Sequence, residues 1–402
     1  MTAKRLSSRI EALQPSATLA IKARAAELRR QGLDIIDLSA GEPDGVPPIE
    51  AVEAAHKAID DGKHTYTPVP GIPALREAIA ELYCSRWGLD VGPSQVMITM
   101  GGKQALFNLA QSLFDPGDEV ILFSPYWVSY PPQLQLAQAK PVILRTRPEQ
   151  GFQPDIDEIR TAIGPRTRAI LVNSPSNPSG CVVERHRLEA IAQLAKDHDL
   201  WLISDEIYDA ITYDGAENPC LASLSDDAAT RTIVVNAVSK TFAMTGWRVG
   251  WIVAPEQVVR ACSKIQGHST SGVCEVNQRA ALAAISAPRD FLQPILVGLD
   301  RRRRLLATAL SAMDGIEVGP LPQGAFYLFP SVAGLFGCRT PKGDVLTSAL
   351  EVASYLLDEA KVAVVPGEAF GEERCVRISY ATRPDRIEQG AARIAAALSH
   401  LQ

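Results

Sequence analysis

The segment Ser239-Lys240-Thr241-Phe242-Ala243-Met244-Thr245-Gly246-Trp247-Arg248-Val249-Gly250 lies between two short apolar runs that both read as buried strands. It brings one lysine into a confined place with an arginine nearby. A lysine taken out of water beside a second cation holds its proton less tightly, so its amine becomes nucleophilic toward an aldehyde and can form a Schiff base. Arg248 adds a fork-shaped donor suited to a phosphate. Alone, such a pair reads as a loop lysine and a structural ion-pair arginine. Four further segments change that reading.

Val96-Met97-Ile98-Thr99-Met100 reads as a strand, followed by Gly101-Gly102-Lys103-Gln104 and an amphipathic helical run through Ala105, Leu106, Leu109 and Leu113. Glycines at a helix start let backbone N–H groups and the positive dipole end face an anion. Gln104 stands where a nucleotide-binding P-loop has Ser or Thr after its lysine, which disfavours an NTPase. Ser124-Pro125-Tyr126-Trp127 follows the apolar run Val120–Phe123 and puts Trp127 at the carboxyl end of a parallel strand, where it can stack on a flat heteroaromatic ring. Ile170 to Gly180 is a strand running into a turn in which Asn177 can donate to a phenolate oxygen. Trp201 to Tyr208 ends an apolar strand in Asp205, placed to keep a pyridine nitrogen protonated, with Tyr208 three residues on. Each segment alone also reads as ordinary structure: a glycine turn, a core tryptophan, a proline turn, a surface acid. Together they supply the parts of a pyridoxal phosphate site.

In this order GGKQ, SPYW, NPSG, SDEIY and SKTFAMTGWRVG resemble the fold type I pyridoxal-phosphate aminotransferases, in their bacterial aspartate aminotransferase branch. The likeness runs from Pro15-Ser16-Ala17-Thr18 through Ser39–Asp44 and Tyr66-Thr67-Pro68 to Val376–Ala381, nearly the whole chain. The resemblance implies that Lys240 is the Schiff-base lysine and the acid/base at the α-carbon. It further implies that Asp205 pairs with the pyridine nitrogen, that Asn177 and Tyr208 contact the ring hydroxyl oxygen, and that Trp127 stacks on the ring. Gly102, Lys103 and Arg248 would lie at or near the phosphate. Arg377 would clamp the substrate α-carboxylate with help from Asn177 and the backbone at Gly41. Lys103 and the hydroxyls of Ser16 and Thr18 would read a distal carboxylate. Tyr66 would reach the phosphate in the neighbouring subunit, which implies a homodimer with shared active sites.

The chain departs from that pattern in three places. Ala237 stands where many relatives have a phosphate-binding serine, with Ser239 next to the lysine instead. Gly45-Val46-Pro47-Pro48 replaces a common Phe-Asp-Thr-Pro, and Ser176 replaces a common asparagine before Asn177.

The elements that must position these residues follow from apolar patterning. Runs at 96–100, 119–123, 168–173, 200–204, 231–236 and 249–253 lack period-two alternation, as strands covered on both faces should. The fold class expected is α/β: a large domain, 45–286, with a mostly parallel sheet covered by helices on both faces, and a smaller α+β domain from 1–44 and 287–402. Ser16 to Arg30 reads as a capped helix packing on the smaller domain, and 289–312 as a long helix. Short strands are expected around 316–318, 325–329, 362–365 and 376–379, with helices near 345–360 and 384–399.

With 402 residues, nearly half of them apolar, the chain can bury a large core, and a net charge of −6 gives no general attraction to nucleic acid or anionic membrane. Arg301 to Arg304 opens a helical pattern and reads as a solvated face with some arginines paired to acids. Seven cysteines without C-x-x-C spacing argue for free thiols, and six histidines without paired spacing argue against a metal site. The first residues have no apolar h-region and no segment has the ~20 apolar residues of a spanning helix, so a cytoplasmic protein is expected.

The reaction expected is reversible transamination between small-molecule amino acids and 2-oxo acids, first L-aspartate with 2-oxoglutarate. The alternatives are aspartate/glutamate-prephenate or aromatic amino acid transamination, and, less favoured, a pyridoxal-phosphate β-lyase or decarboxylase.

Overall fold

The computed structural model describes residues 6–11, 13 and 17–402, and for residues 17–20 and 22 their backbone alone. Ser16 and the side chain of Thr18 therefore lie outside the described residues. The helix Ala17–Arg30 seats Ile21, Ala25 and Leu28 against Ile35, Leu357 and Ala363. Strand β1 (Ile36–Asp37) pairs in parallel with Val362–Ala363, which joins the beginning of the chain to its last hundred residues.

The main sheet has seven strands: β2 (Val96–Thr99), β3 (Glu119–Ser124), β4 (Lys140–Arg145), β5 (Thr167–Asn173), β6 (Trp201–Asp205), β7 (Thr232–Ala237) and β8 (Gly250–Val253). They lie in the order β2-β8-β7-β6-β5-β3-β4. All pairings are parallel except those of β8, which runs antiparallel to β7 and β2. Every residue of β2, β7 and β8 is buried, as continuous apolar runs require. The edge strand β4 was not expected from sequence. Its residues alternate between half-buried and exposed, and Pro141 would be excluded from an interior strand but is tolerated at an edge.

Helices cover both faces. Gly102–Leu113 and Glu256–Gly267 bury Leu106, Leu109, Val258 and Cys262 against Met97, Ile233 and Ile252. On the opposite face Pro73–Trp87 and Glu275–Ser286 bury Leu75, Ile79, Ala280 and Ala284 against Ile98, Val234 and Trp251. Each buried leucine contributes roughly 1.5–3 kcal/mol.

Beyond residue 290, the helix Leu292–Ser311 begins after a 3-10 turn, Arg289–Phe291. Strands β9 (Tyr327–Leu328), β10 (Val362–Ala363), β11 (Val365–Pro366) and β12 (Val376–Ser379) follow, and β11-β12-β9 form a three-stranded antiparallel sheet. The strand expected around 316–318 is one bridge, Glu317 to Ser331. The helices Ala349–Tyr355 and Pro384–Leu398 close this layer over Leu299, Leu306, Tyr327 and Ile378.

The arginine run bears out the expected pairing to acids and corrects the expectation of a wholly solvated face. Arg301 and Arg304 are exposed, but Arg302 and Arg303 point inward. Arg303 is fully buried, 4.4 Å over the Tyr213 ring, donating to the Pro322 carbonyl at 2.5 Å and to Asp214 at 2.6 Å. Those acceptors make burial of its charge tolerable. All seven cysteines are unpaired. Among the described residues no helix is long and apolar enough to cross a membrane, and no group of three His, Cys, Asp or Glu is placed to hold a metal.

Candidate active site

The strand order reverses its sequence direction at β3 and β5, the kind of place where α/β sheets open a crevice at their carboxyl ends. A cavity of about 500 Å³ lies there. It gathers Gly41, Gly102, Lys103, Trp127, Asn177, Asp205, Tyr208, Lys240, Arg248 and Arg377, from segments spread over most of the chain.

Lys240 stands three residues beyond β7. Its turn is held by the Val238 N–H on the Val249 carbonyl at 3.2 Å and the Phe242 N–H on the Val238 carbonyl at 3.2 Å. Lys240 Nζ donates to the Gly41 carbonyl at 2.5 Å and lies 6.0 Å from the centre of the Tyr208 ring. Asp205 ends β6 and is 5 % exposed. Its Oδ2 accepts the Tyr130 hydroxyl at 2.6 Å, and Oδ1 accepts the Ile207 N–H at 3.4 Å. Burial pushes the Asp205 carboxyl up to about 6, against the opposing pull of the Tyr130 hydrogen bond and the Lys240 charge.

Asn173, at the end of β5, fixes the next wall. Its amide donates to the Asp205 carbonyl at 2.8 Å and its Oδ1 accepts the Asn177 N–H at 2.9 Å. Asn177 Oδ1 in turn accepts Arg377 Nη1 at 2.9 Å. Arg377 comes from β12, is 3 % exposed, and donates from Nη2 to the Ser39 carbonyl at 2.8 Å. Its guanidinium lies 4.5 Å over Tyr327 and 5.1 Å over Phe370. Nε is buried without a partner among the described residues, and Nη1 and Nη2 each use one N–H on the protein, so the fork keeps donors for a carboxylate.

The opposite end is an anion cradle. Gly101 caps the helix Gly102–Leu113 at φ +80°, where a side chain would be strained and where a Cβ would meet Arg248 Nη2 at 2.7 Å. A Cβ on Gly250 would come within 2.5–2.6 Å of the Gly101 and Gly102 backbone. Among the described residues no side chain caps this helix, and no acid occupies its first turn, which leaves its first N–H groups for a bound anion. Arg248 is held across the cradle by the Thr245 carbonyl at 2.8 Å and the Met100 carbonyl at 3.3 Å. Lys103 Nζ lies 5.0 Å from the centre of the Trp127 ring, and burial with the nearby Arg248 charge lowers its proton affinity. Ser239, 4 % exposed, also lines the cavity, whereas Ala237 is buried in β7.

Tyr66 is not in this group: it is 96 % exposed. Sequence reasoning also missed Tyr130, Asn173 and Tyr327. The Tyr327 hydroxyl lies 2.9 Å from that of Tyr208, and Tyr327 pairs in register with Ser379 beside Arg377. That pairing, between two strands expected from sequence, is the signal that could have placed it.

A parallel sheet that presents a lysine, a buried carboxyl and a basic glycine cradle at one carboxyl edge defines an enzyme of amino-group chemistry. The chain belongs to the class I and II aminotransferases, whose family model matches residues 33–394. It is 41 % identical over 393 residues to an aspartate aminotransferase of Geobacillus stearothermophilus, covering 97 % of this chain and 98 % of the relative. It is 43 % identical to an aspartate/prephenate aminotransferase of Thermus thermophilus, covering 98 % of each chain. The crystal structure of an aspartate aminotransferase from Rhizobium meliloti superposes with a TM-score of 0.96 at 39 % identity over all of both chains. The Thermus thermophilus aspartate aminotransferase solved with maleate gives 0.91 at 43 % identity, over 98 % of this chain and all of the other.

Proposed function

We propose that the protein transfers the amino group of L-aspartate to 2-oxoglutarate with pyridoxal 5'-phosphate as cofactor. The observation that carries this reading is the Lys240 amine, set on the Gly41 carbonyl between the buried Asp205 carboxyl and the Arg377 fork. The residues fit the cofactor. The uncapped helix start with Gly102, Lys103 and Arg248 suits its phosphate, Trp127 its ring face, Asn177 and Tyr208 its phenolic oxygen. Asp205 keeps one oxygen for the ring nitrogen while Tyr130 holds the other. When bound, the cofactor supplies an aldehyde for amines to condense with and a pyridine ring that withdraws electrons from the substrate α-carbon.

The protein's own groups do the rest. Arg377 binds the α-carboxylate through the N–H groups its protein partners leave unused, and Asn177 holds the guanidinium plane. Lys240 Nζ takes up the proton from the α-carbon, and the Gly41 carbonyl fixes where that nitrogen stands. Lys103 reads the distal carboxylate, in company with Ser16 and Thr18. The named activities of the relatives and the maleate in the Thermus structure support a dicarboxylic substrate. The Thermus relative's prephenate activity supports a second reading, since prephenate is also a dicarboxylate.

Tyr66, 96 % exposed, together with the exposed Val46, Ile49 and Met100, supports a homodimer in which Tyr66 reaches the partner's cofactor phosphate. The unpaired thiols support a cytoplasmic location. The hydrophobic clusters on the two sheets support two domains, 45–286 and 1–44 with 287–402.

The test is the visible absorbance of the protein loaded with pyridoxal phosphate. L-aspartate is expected to bleach the lysine-bound chromophore and 2-oxoglutarate to restore it, with L-phenylalanine and L-alanine far weaker. A protein that shows no such chromophore after loading has another function.

A further inference from the structure

The arginine run contains one side chain whose contacts lead into the cavity from outside. Arg302, on the helix Leu292–Ser311, is 8 % exposed. Its Nη1 donates both to Asp44 Oδ2 at 2.5 Å and to the Thr382 carbonyl at 2.8 Å, while Nε donates to the Gly298 carbonyl of its own helix at 3.0 Å. Asp44 ends the segment Ser39-Ala40-Gly41-Glu42-Pro43-Asp44, and Thr382 follows β12.

Both segments carry the site. Ser39 offers its carbonyl to Arg377, Gly41 offers its carbonyl to Lys240, and Glu42 accepts the Thr245 hydroxyl at 3.0 Å. The segments are tied near their start by the Ser379 N–H on the Leu38 carbonyl at 2.7 Å. Arg302 ties their far ends, from a third element. Gly45 is wedged beside this tie: a Cβ there would meet Ala243 at 3.4 Å on the Lys240 turn and Ile295 at 3.9 Å on the Arg302 helix.

We propose that Arg302 is a positioning residue for the carboxylate end of the site: its bridge from Asp44 to the Thr382 carbonyl holds residues 39–44 at the spacing from β12 that Arg377 requires. The inference rests on the amino-transfer reading and adds a residue that touches neither substrate nor cofactor. The physical reason is local. A buried guanidinium with three acceptors is a stiff strut, and a misplacement of the order of 1 Å in a binding segment is expensive. The tie sits at the Asp44 end of the segment, opposite the backbone hydrogen bond at Leu38.

The experiment uses the loaded holoenzyme and maleate, a non-reacting dicarboxylate, as probe. Binding is followed by calorimetry, and KM and kcat by coupled assay. Arg302→Met and Asp44→Asn are each expected to weaken maleate binding about tenfold and to raise KM for aspartate and 2-oxoglutarate alike, with kcat within about threefold of wild type. The double variant should be no weaker than Arg302→Met alone, and Arg302→Lys should recover part of the loss. A purely structural bridge would lower Tm and leave maleate affinity unchanged, and that result overturns the inference. If Arg302→Met does not fold, Asp44→Asn decides alone, since the Asp44 side chain is 37 % exposed: wild-type affinity there overturns the proposal. A holoenzyme that shows no lysine-bound chromophore overturns the amino-transfer reading and the inference with it, whereas a wild-type holoenzyme with the chromophore that binds no maleate overturns the inference as a dicarboxylate-site effect.

Discussion

The Tyr130 hydroxyl donates to Oδ2 of Asp205 at 2.6 Å in a wall where both residues are almost without solvent contact. Among the described residues it is the one side-chain hydrogen bond to a carboxyl that burial has pushed up to about 6, and it favours the ionised form. Tyr130→Phe removes that stabilisation. Asp205 then holds its proton to higher pH, so the acid limb of the activity profile is expected to move upward, with activity at pH 7 falling by about two- to tenfold. Asp205→Asn, which cannot ionise, should cost at least about a hundredfold at every pH. A Tyr130→Phe profile that overlays wild type would show that Asp205 is not the titrating group.

Lys240→Ala is expected to abolish the lysine-bound chromophore and to reduce amino transfer by about a thousandfold or more, since a positioned proton carrier is lost along with the anchoring amine. Spectrum and turnover should fail together. Persistence of the chromophore would move the anchor to another lysine.

Arg377 holds its fork through Asn177 and Ser39, so a lysine in its place keeps the charge and loses the plane. Arg377→Lys is expected to raise KM for every amino acid by about a hundredfold, corresponding to roughly 2–3 kcal/mol. Because the loss is at the α-carboxylate, the ratio between aspartate and alanine should stay nearly constant. A change in that ratio would place Arg377 at the distal end instead.

Glu206 gives a pH effect on stability separate from the chemistry. It is 3 % exposed and accepts the Ser204 hydroxyl at 2.9 Å and the Leu221 N–H at 3.1 Å. Burial, only partly offset by the Ser204 hydroxyl, raises its carboxyl from the ordinary 4.5 to about 7. A carboxyl raised on folding contributes stability below about 4.5 that is lost as pH climbs through about 7. Glu206→Gln escapes that loss. The Tm of the variant minus that of wild type is therefore expected to grow from pH 5 to pH 8, and parallel melting curves would show that Glu206 is not titrating there.

How far the fold could be read in advance depended on burial. Strands such as β7, apolar along their whole length, announce themselves, whereas β4, a half-exposed edge with Lys140, Pro141 and Arg145, carries no such signal. In the site, Lys240, Asp205 and Asn177 stand at strand ends beside turn-forming residues and were recognisable as a set. Tyr130 was not, because what matters is a hydrogen bond across 75 residues of sequence. For Arg303 the pairing to an acid was legible, with Asp300 three residues before it, but its burial was not, because the Tyr213 ring and the Pro322 carbonyl that enclose it come from other parts of the chain.

Lys103 decides the substrate question. Its amine sits 5.0 Å from the Trp127 ring centre, with proton affinity lowered by burial and by Arg248, yet it opens on the same cavity as Arg377. A cation there attracts a second carboxylate and does nothing for a methyl or phenyl side chain. Lys103→Met is therefore expected to lower kcat/KM for aspartate by about a hundredfold while leaving alanine and phenylalanine within a few-fold, a loss of selectivity of roughly 2–3 kcal/mol. The competing outcome is a uniform loss for all amino acids with weaker cofactor retention. That result would confine Lys103 to the phosphate end of the cradle, and the dicarboxylate preference would then have to come from Ser16, Thr18 or the partner subunit.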